Sequence, residues 1–148
     1  MSETDVAVDL FLDGCACSQA LLGTYGPRVG LGRDLGLRVA AGFGGGMCMA
    51  ETCGAVTGAF MVLGLAHSDD ACGTPDGRKA AYAAVASFAE RFKERNGSLM
   101  CRELLGCDIS TPEGHKTAVE KGLFRTRCAD LVRDAAFVVE SLLPNPRP

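Results

Sequence analysis

Apolar and small residues recur at Leu10, Gly14, Cys17 and Leu21. This is the i, i+4, i+7, i+11 stripe of a helix face, and it predicts a helix from Val6 to about Gly23 with Cys17 turned toward the core. A second helix is predicted over Asp34 to Ala41, and the run Gly42-Phe43-Gly44-Gly45-Gly46 then breaks it into a loop. Glu51 to Leu65 reads as the next helix, with an acidic residue and Cys53 in its first turn. After the polar loop Ala66 to Asp76, Thr74-Pro75-Asp76 supplies capping chemistry for a long amphipathic helix. That helix runs to about Asn96-Gly97, with Tyr82, Val85, Phe88, Ala89 and Phe92 on its buried side. Ser98 caps a short helix stopped by Gly106, with Cys107 just beyond, and Ser110-Thr111-Pro112-Glu113 opens another that Gly122 ends. The last helix, about Arg125 to Leu143, lines up Cys128, Leu131, Val132, Ala135, Val139 and Leu142 before Pro144. No segment alternates with period two, so the expected fold is all-α, a compact single-domain bundle of about five to seven helices.

Composition adds boundaries to this picture. With 148 residues, 47% hydrophobic and 22% charged, the chain has the make-up of one folded domain spanning 1–148. A formal net charge of -3, from 15 Lys plus Arg against 18 Asp plus Glu, offers no basic field to gather phosphates, which argues against a nucleic-acid partner. The longest apolar run, Ala55 to Ala66, falls short of the roughly 18–20 residues a membrane-spanning helix needs and reads as a core helix, so no membrane partner is expected. The opening Met1-Ser2-Glu3-Thr4-Asp5 is acidic where an export signal is basic, which makes the cytoplasm the expected compartment.

Eight cysteines are then the unusual feature, because cytoplasmic thiols are kept reduced and clustered ones serve metals or catalysis. Cys53 and Cys128 fall in first turns of predicted helices, Cys107 beside a helix end and Cys17 on a core-facing stripe, positions from which distant ligands converge. A thiolate at a helix start is stabilised by unpaired N–H groups and the positive dipole end. Gly44, Gly45 and Gly46 offer backbone N–H groups as a nest for an anion such as a bridging sulfide. Zinc fits less well, since no paired C-x2-4-C or H-x3-5-H spacing occurs. An iron-sulfur cluster takes four thiolates, yet the spacing matches no local ferredoxin run, and the residues alone leave cluster and dithiol both open.

The segments Gly14-Cys15-Ala16-Cys17-Ser18-Gln19-Ala20, Gly42-Phe43-Gly44-Gly45-Gly46-Met47, Glu51-Thr52-Cys53-Gly54-Ala55-Val56-Thr57-Gly58, Cys101-Arg102-Glu103-Leu104-Leu105-Gly106-Cys107, Ser110-Thr111-Pro112-Glu113-Gly114 and Cys128 resemble the redox-active family C_GCAxxG_C_C. The resemblance runs from about Val6 to Leu143. Members look like small bacterial and archaeal helical proteins, and a similar domain occurs in split-Soret cytochrome c beside an iron-sulfur centre. What the resemblance implies is redox work, with the family cysteines carried onto Cys17, Cys53, either Cys101 or Cys107, and Cys128. The chain reads Cys53-Gly54-Ala55 where the family name has Gly-Cys-Ala, so the register there rests on the Ala-x-x-Gly that follows. Cys15, Cys48 and Cys72 lie outside the family pattern.

The leading expectation is therefore an electron-transfer or redox-sensing protein rather than a conventional enzyme. Its cofactor is an iron-sulfur cluster, with Cys15 and Cys48 as further metal candidates. Two alternatives stand beside it. One is a thiol-disulfide oxidoreductase in which Cys53 attacks and Cys101, Cys107 or Cys128 resolves. The other is a Cu(I) protein using Cys15-Ala16-Cys17 and Met47-Cys48-Met49. His67 and His115 are expected to be solvated, and Cys72 to be incidental. A redox partner protein is expected, and Gly54, Gly58 and Gly64 suggest a close helix contact within the chain or across a homodimer.

Overall fold

The computed structural model describes residues 1–144, so the last four residues of the expected 1–148 unit lie outside it. Eight α-helices follow in order: α1 Glu3–Leu12, α2 Cys17–Tyr25, α3 Arg33–Ala40, α4 Gly54–His67, α5 Pro75–Asn96, α6 Cys101–Leu105, α7 Pro112–Glu120 and α8 Arg127–Leu142. Short 3-10 turns occupy Gly26–Val29 and Ala41–Phe43. The described residues contain no strand, only an isolated antiparallel bridge between Thr52 and Met100. No described helix is long and apolar enough to cross a membrane.

The helix count exceeds the expected five to seven because the first predicted helix is two. α1 ends at Leu12, and Gly14 takes φ 118, a left-handed value at which L side chains are strained. The chain then restarts at Ala16, whose N–H donates to the Gln19 side chain at 2.9 Å. Cys17 thus opens a new helix instead of continuing a stripe. Side-chain caps fix other starts: Thr74 Oγ1 accepts from the Gly77 N–H at 3.1 Å, and Thr111 Oγ1 from the Gly114 N–H at 3.0 Å.

α2, α4 and α8 carry the centre of the core, with Leu21, Leu22, Val56, Val62, Leu63, Val132 and Val139 buried together. α5 contributes Ala84, Phe88 and Phe92, one i, i+4, i+8 stripe, and Phe88 stacks on Phe92 at 5.7 Å. Tyr82 is 69% exposed, contrary to its predicted burial, because it lies about 120° around the helix from Phe88 at the centre of that stripe. Gly54 and Gly58 let α4 press directly on α2, since a Cβ at Gly58 would stand 2.7 Å from the Ser18 carbonyl. The close contact expected of these glycines is made within the chain, and Gly64 has nothing within 4 Å.

A buried polar pin joins three helices. Tyr25 is fully buried on α2 and its hydroxyl donates to Glu140 of α8 at 2.6 Å, while Thr4 of α1 donates to the same oxygen at 3.2 Å. Burial and the Glu140 carboxylate push the Tyr25 phenol far above its ordinary range, so it remains a donor at all working pH. Tyr25→Phe is expected to cost about 1.5–3 kcal/mol, the worth of a hydrogen bond to a charged group. The check is a lower urea midpoint at unchanged slope.

Candidate functional site

Four cysteines stand at four helix starts. Cys17 is the first residue of α2, Cys53 the N-cap of α4, Cys101 the first residue of α6 and Cys128 the second of α8. All four line one cavity of about 210 Å³, whose walls also include Gly45, Gly46 and Gly54, with Phe11, Phe124 and Leu131 among the apolar members. The N-terminal, positive dipole ends of these helices therefore stand around a common, largely apolar space.

The Thr52–Met100 bridge brings two of these thiols together. The Cys53 N–H donates to the Leu99 carbonyl at 2.8 Å, and the Cys101 N–H to the Glu51 carbonyl at 2.6 Å. Because neighbouring residues of an extended chain alternate in direction, Cys53 and Cys101 lie on the same face of the bridge, opposite Thr52 and Met100. Arg102 locks the pairing from outside: its Nε donates to the Ala50 carbonyl at 3.0 Å, and its guanidinium pairs with the Glu51 carboxylate.

The glycine-rich loop is a turn of left-handed helix rather than an open loop. Gly45, Gly46, Met47 and Cys48 hold φ between 59 and 64°, Ala50 holds 53°, and the Glu51 N–H closes the turn on the Gly46 carbonyl at 3.1 Å. Three of these residues carry side chains, at roughly 1–2 kcal/mol each for the left-handed conformation. Position 46 admits only glycine, since a Cβ would lie 2.5 Å from the Glu51 nitrogen. The turn aims the Gly45 N–H at the Cys17 sulfur and swings Cys48 and Met49 outward.

Charge is unevenly shared among the thiols. Cys17 is pulled down to about 7, chiefly because the Cys53 thiol donates to it, with the N–H groups of Gly45 and Ser18 adding to the effect against burial. Cys53, as the donor and deeply buried, is pushed well above the ordinary thiol value. Burial raises Cys101 to about 11 and Cys128 to about 12, and the nearby charge of Cys17 adds to each. At neutral pH Cys17 is thus the thiol of the cavity most readily ionised, about half in the thiolate form, while Cys53, Cys101 and Cys128 are protonated.

Of the remaining sequence candidates, Cys107 is half-buried and packs beside Cys101 and Cys128 with Leu123 and the cavity-lining Ile109, but is not itself on the cavity wall. Cys101, not Cys107, is the one on the wall. Cys15 is half-buried at the α1–α2 connection, and Cys48 and Cys72 are exposed. Gly45 and Gly46 line the cavity, while Gly44 lies against Ala16, where a Cβ would meet the Ala16 Cβ at 2.7 Å. His67 bonds the Leu142 carbonyl at 2.8 Å instead of being solvated, and His115 packs on the Phe124 ring at 5.5 Å. Among the described residues no three His, Cys, Asp or Glu side chains are close enough to share one metal ion. Sequence reasoning missed the apolar wall. Leu123-Phe124, an apolar pair after the helix-stopping Gly122, was the available signal for part of it.

The helical frame and the thiol-walled cavity define a small all-α protein with a buried, cysteine-based site. Residues 15–142 match the family described as "Putative redox-active protein (C_GCAxxG_C_C)", and the chain belongs to that family. No curated protein and no solved structure matches it.

Proposed function

We propose that the cavity holds an iron-sulfur cluster through Cys17, Cys53, Cys101 and Cys128, and that the protein serves electron transfer or redox sensing with a partner protein. The observation that carries this is four thiols from four separate helix starts around one space of about 210 Å³. Four thiolates without a paired C-x2-4-C or H-x3-5-H spacing match the ligand set of a cluster better than that of a structural zinc site. A bound cluster supplies the one-electron chemistry.

The chain's own residues set its conditions. The four sulfurs bind, the N–H groups of Gly45 and Ser18 stabilise negative charge on the Cys17 sulfur, and Phe11, Phe124 and Leu131 keep water away. Cys53, Cys101 and Cys128 are protonated at neutral pH, so ligation requires each to give up a proton to solvent. A reducing compartment such as the cytoplasm suits eight free thiols. The copper reading gains nothing here, because Cys48 is exposed, Met49 is 58% exposed, and Cys15 does not line the cavity.

Anaerobic purification followed by iron and acid-labile sulfide analysis tests the proposal. Iron and sulfide are expected in the wild type. They should be lost from each Ser variant of Cys17, Cys53, Cys101 and Cys128, and retained in Cys48→Ser and Cys72→Ser. A colourless, iron-free wild type under those conditions defeats it.

A further inference from the structure

We infer that in the metal-free chain Cys17 and Cys53 form a reversible disulfide that closes two of the four ligand positions, so that thiol oxidation gates loading of the site. The gating rests on the cluster reading above, whereas the disulfide itself does not. Both side chains line the one cavity, and Cys53 has the largest influence on the ionisation of Cys17, whereas Cys101 and Cys128 feel Cys17 only through its charge. The pairing is built into the backbone. Cys17 and Cys53 start adjacent helices that glycine brings together, and a Cβ on Gly54 would stand 2.4 Å from the Cys17 sulfur. Ser18 anchors α2 by donating to the Ala40 carbonyl at 2.8 Å, and the Cys53 N–H anchors the start of α4 to Leu99 at 2.8 Å. The neighbouring cavity of about 210 Å³ leaves room for the side-chain rotation that bonding requires.

The oxidant is a small-molecule disulfide of the glutathione class, RSSR. Cys53 is 6% exposed and Cys17 half-buried, so the first exchange falls on Cys17. Its sulfur attacks one sulfur of RSSR, the S–S bond of RSSR breaks, and RS⁻ leaves. The Cys53 sulfur, losing its proton to solvent, then attacks the Cys17 side of the mixed disulfide, forming the internal bond and releasing the second RS⁻. The pair loses two electrons and RSSR gains them, giving two equivalents of thiol. The roles and the pair differ from the sequence-based expectation, in which Cys53 attacks and Cys101, Cys107 or Cys128 resolves.

The test equilibrates full-length, metal-free protein anaerobically in glutathione redox buffers, alkylates free thiols and maps the linkages by peptide mass spectrometry. The oxidised and reduced forms are then offered ferrous iron and sulfide. One internal disulfide joining the Cys17 and Cys53 peptides, reversed by dithiothreitol, is expected, with iron uptake by the reduced form alone. Cys53→Ser should arrest as a glutathione adduct on Cys17. Linkage through any other pair, or no internal bond at any poise, overturns the inference. Equal uptake by both forms overturns the gating. If the reduced form takes up no iron while the Cys17–Cys53 bond still forms, the cluster reading fails and the disulfide stands.

Discussion

Gly54→Ala is expected to empty the site and weaken the fold together, whereas Gly64→Ala on the same helix is expected to do neither. At position 54 the new Cβ would stand 2.4 Å from the Cys17 sulfur, 3.0 Å from the Phe43 carbonyl and 3.2 Å from the Ser18 nitrogen. The last two are backbone atoms, and α2 cannot retreat easily, because Ser18 is tied to Ala40 and α4 already lies so close at Gly58 that a Cβ there would stand 2.7 Å from the Ser18 carbonyl. The sulfur is the part that can move, by rotating away from Cys53 and from the Gly45 N–H. Overpacking of this kind costs about 1–3 kcal/mol, of which the better helix propensity of alanine returns only a part at a first helical position. Gly64 has nothing within 4 Å, so alanine there should be neutral or stabilise by up to about 1 kcal/mol. Urea unfolding with iron and sulfide analysis reads both variants. A Gly54→Ala protein with wild-type stability and full iron content would show that the close approach of α4 to the Cys17 sulfur has no role.

Elements with local punctuation are readable from the sequence, and those made by distant pairing are not. Thr74-Pro75 and Thr111-Pro112 state the starts of α5 and α7 because a capping hydroxyl and a proline without N–H act on their own turn. The break after α1 is also local, but a glycine fits a helical stripe and a helix stop equally well, and only φ 118 at Gly14 decides between them. The Thr52–Met100 contact has no local signature. It pairs residues 52 and 100, shortens the start of α4 from Glu51 to Gly54, and is what selects Cys101 over Cys107 for the cavity wall. The left-handed turn is hidden for the same reason. Triple glycine announces freedom, while Met47, Cys48 and Ala50 are held at positive φ by tertiary anchors such as Arg102 on the Ala50 carbonyl. What the residue types do convey is the preference of thiols for helix starts, which Cys53 and Cys128 display in sequence and Cys17 and Cys101 display once the chain is folded.

In the metal-free protein, exchange of Cys17 with a small disulfide reagent is expected to rise with pH to a midpoint near 7, and Cys53→Ala is expected to move that midpoint toward the ordinary thiol value of 9.0. The direction follows from the first cause of the lowering, the hydrogen bond donated by Cys53. A full two-unit return would cut the thiolate fraction near pH 6 roughly a hundredfold. The more basic thiolate is intrinsically about tenfold more reactive at a Brønsted slope of 0.4–0.5, which leaves exchange about tenfold slower in the variant. The same shift governs stability. Between pH 7 and 9 the unfolded chain holds a proton on Cys17 that the folded chain has lost, so stability from this group is complete above the unfolded value of 9.0 and is lost as pH falls through about 7. Cys101 and Cys128 act with the opposite sign. Raised to about 11 and about 12, they keep protons that the unfolded chain releases, and their contribution, intact below 9.0, is lost as pH climbs toward those values. The thiol-linked part of stability should therefore peak near pH 9. Urea unfolding of the wild type and Cys17→Ser across this range isolates the first limb as their difference. A difference that stays flat from pH 7 to 9 would mean that Cys17 ionises no more readily folded than unfolded, and that the Cys53 thiol and the Gly45 N–H do not act on its sulfur.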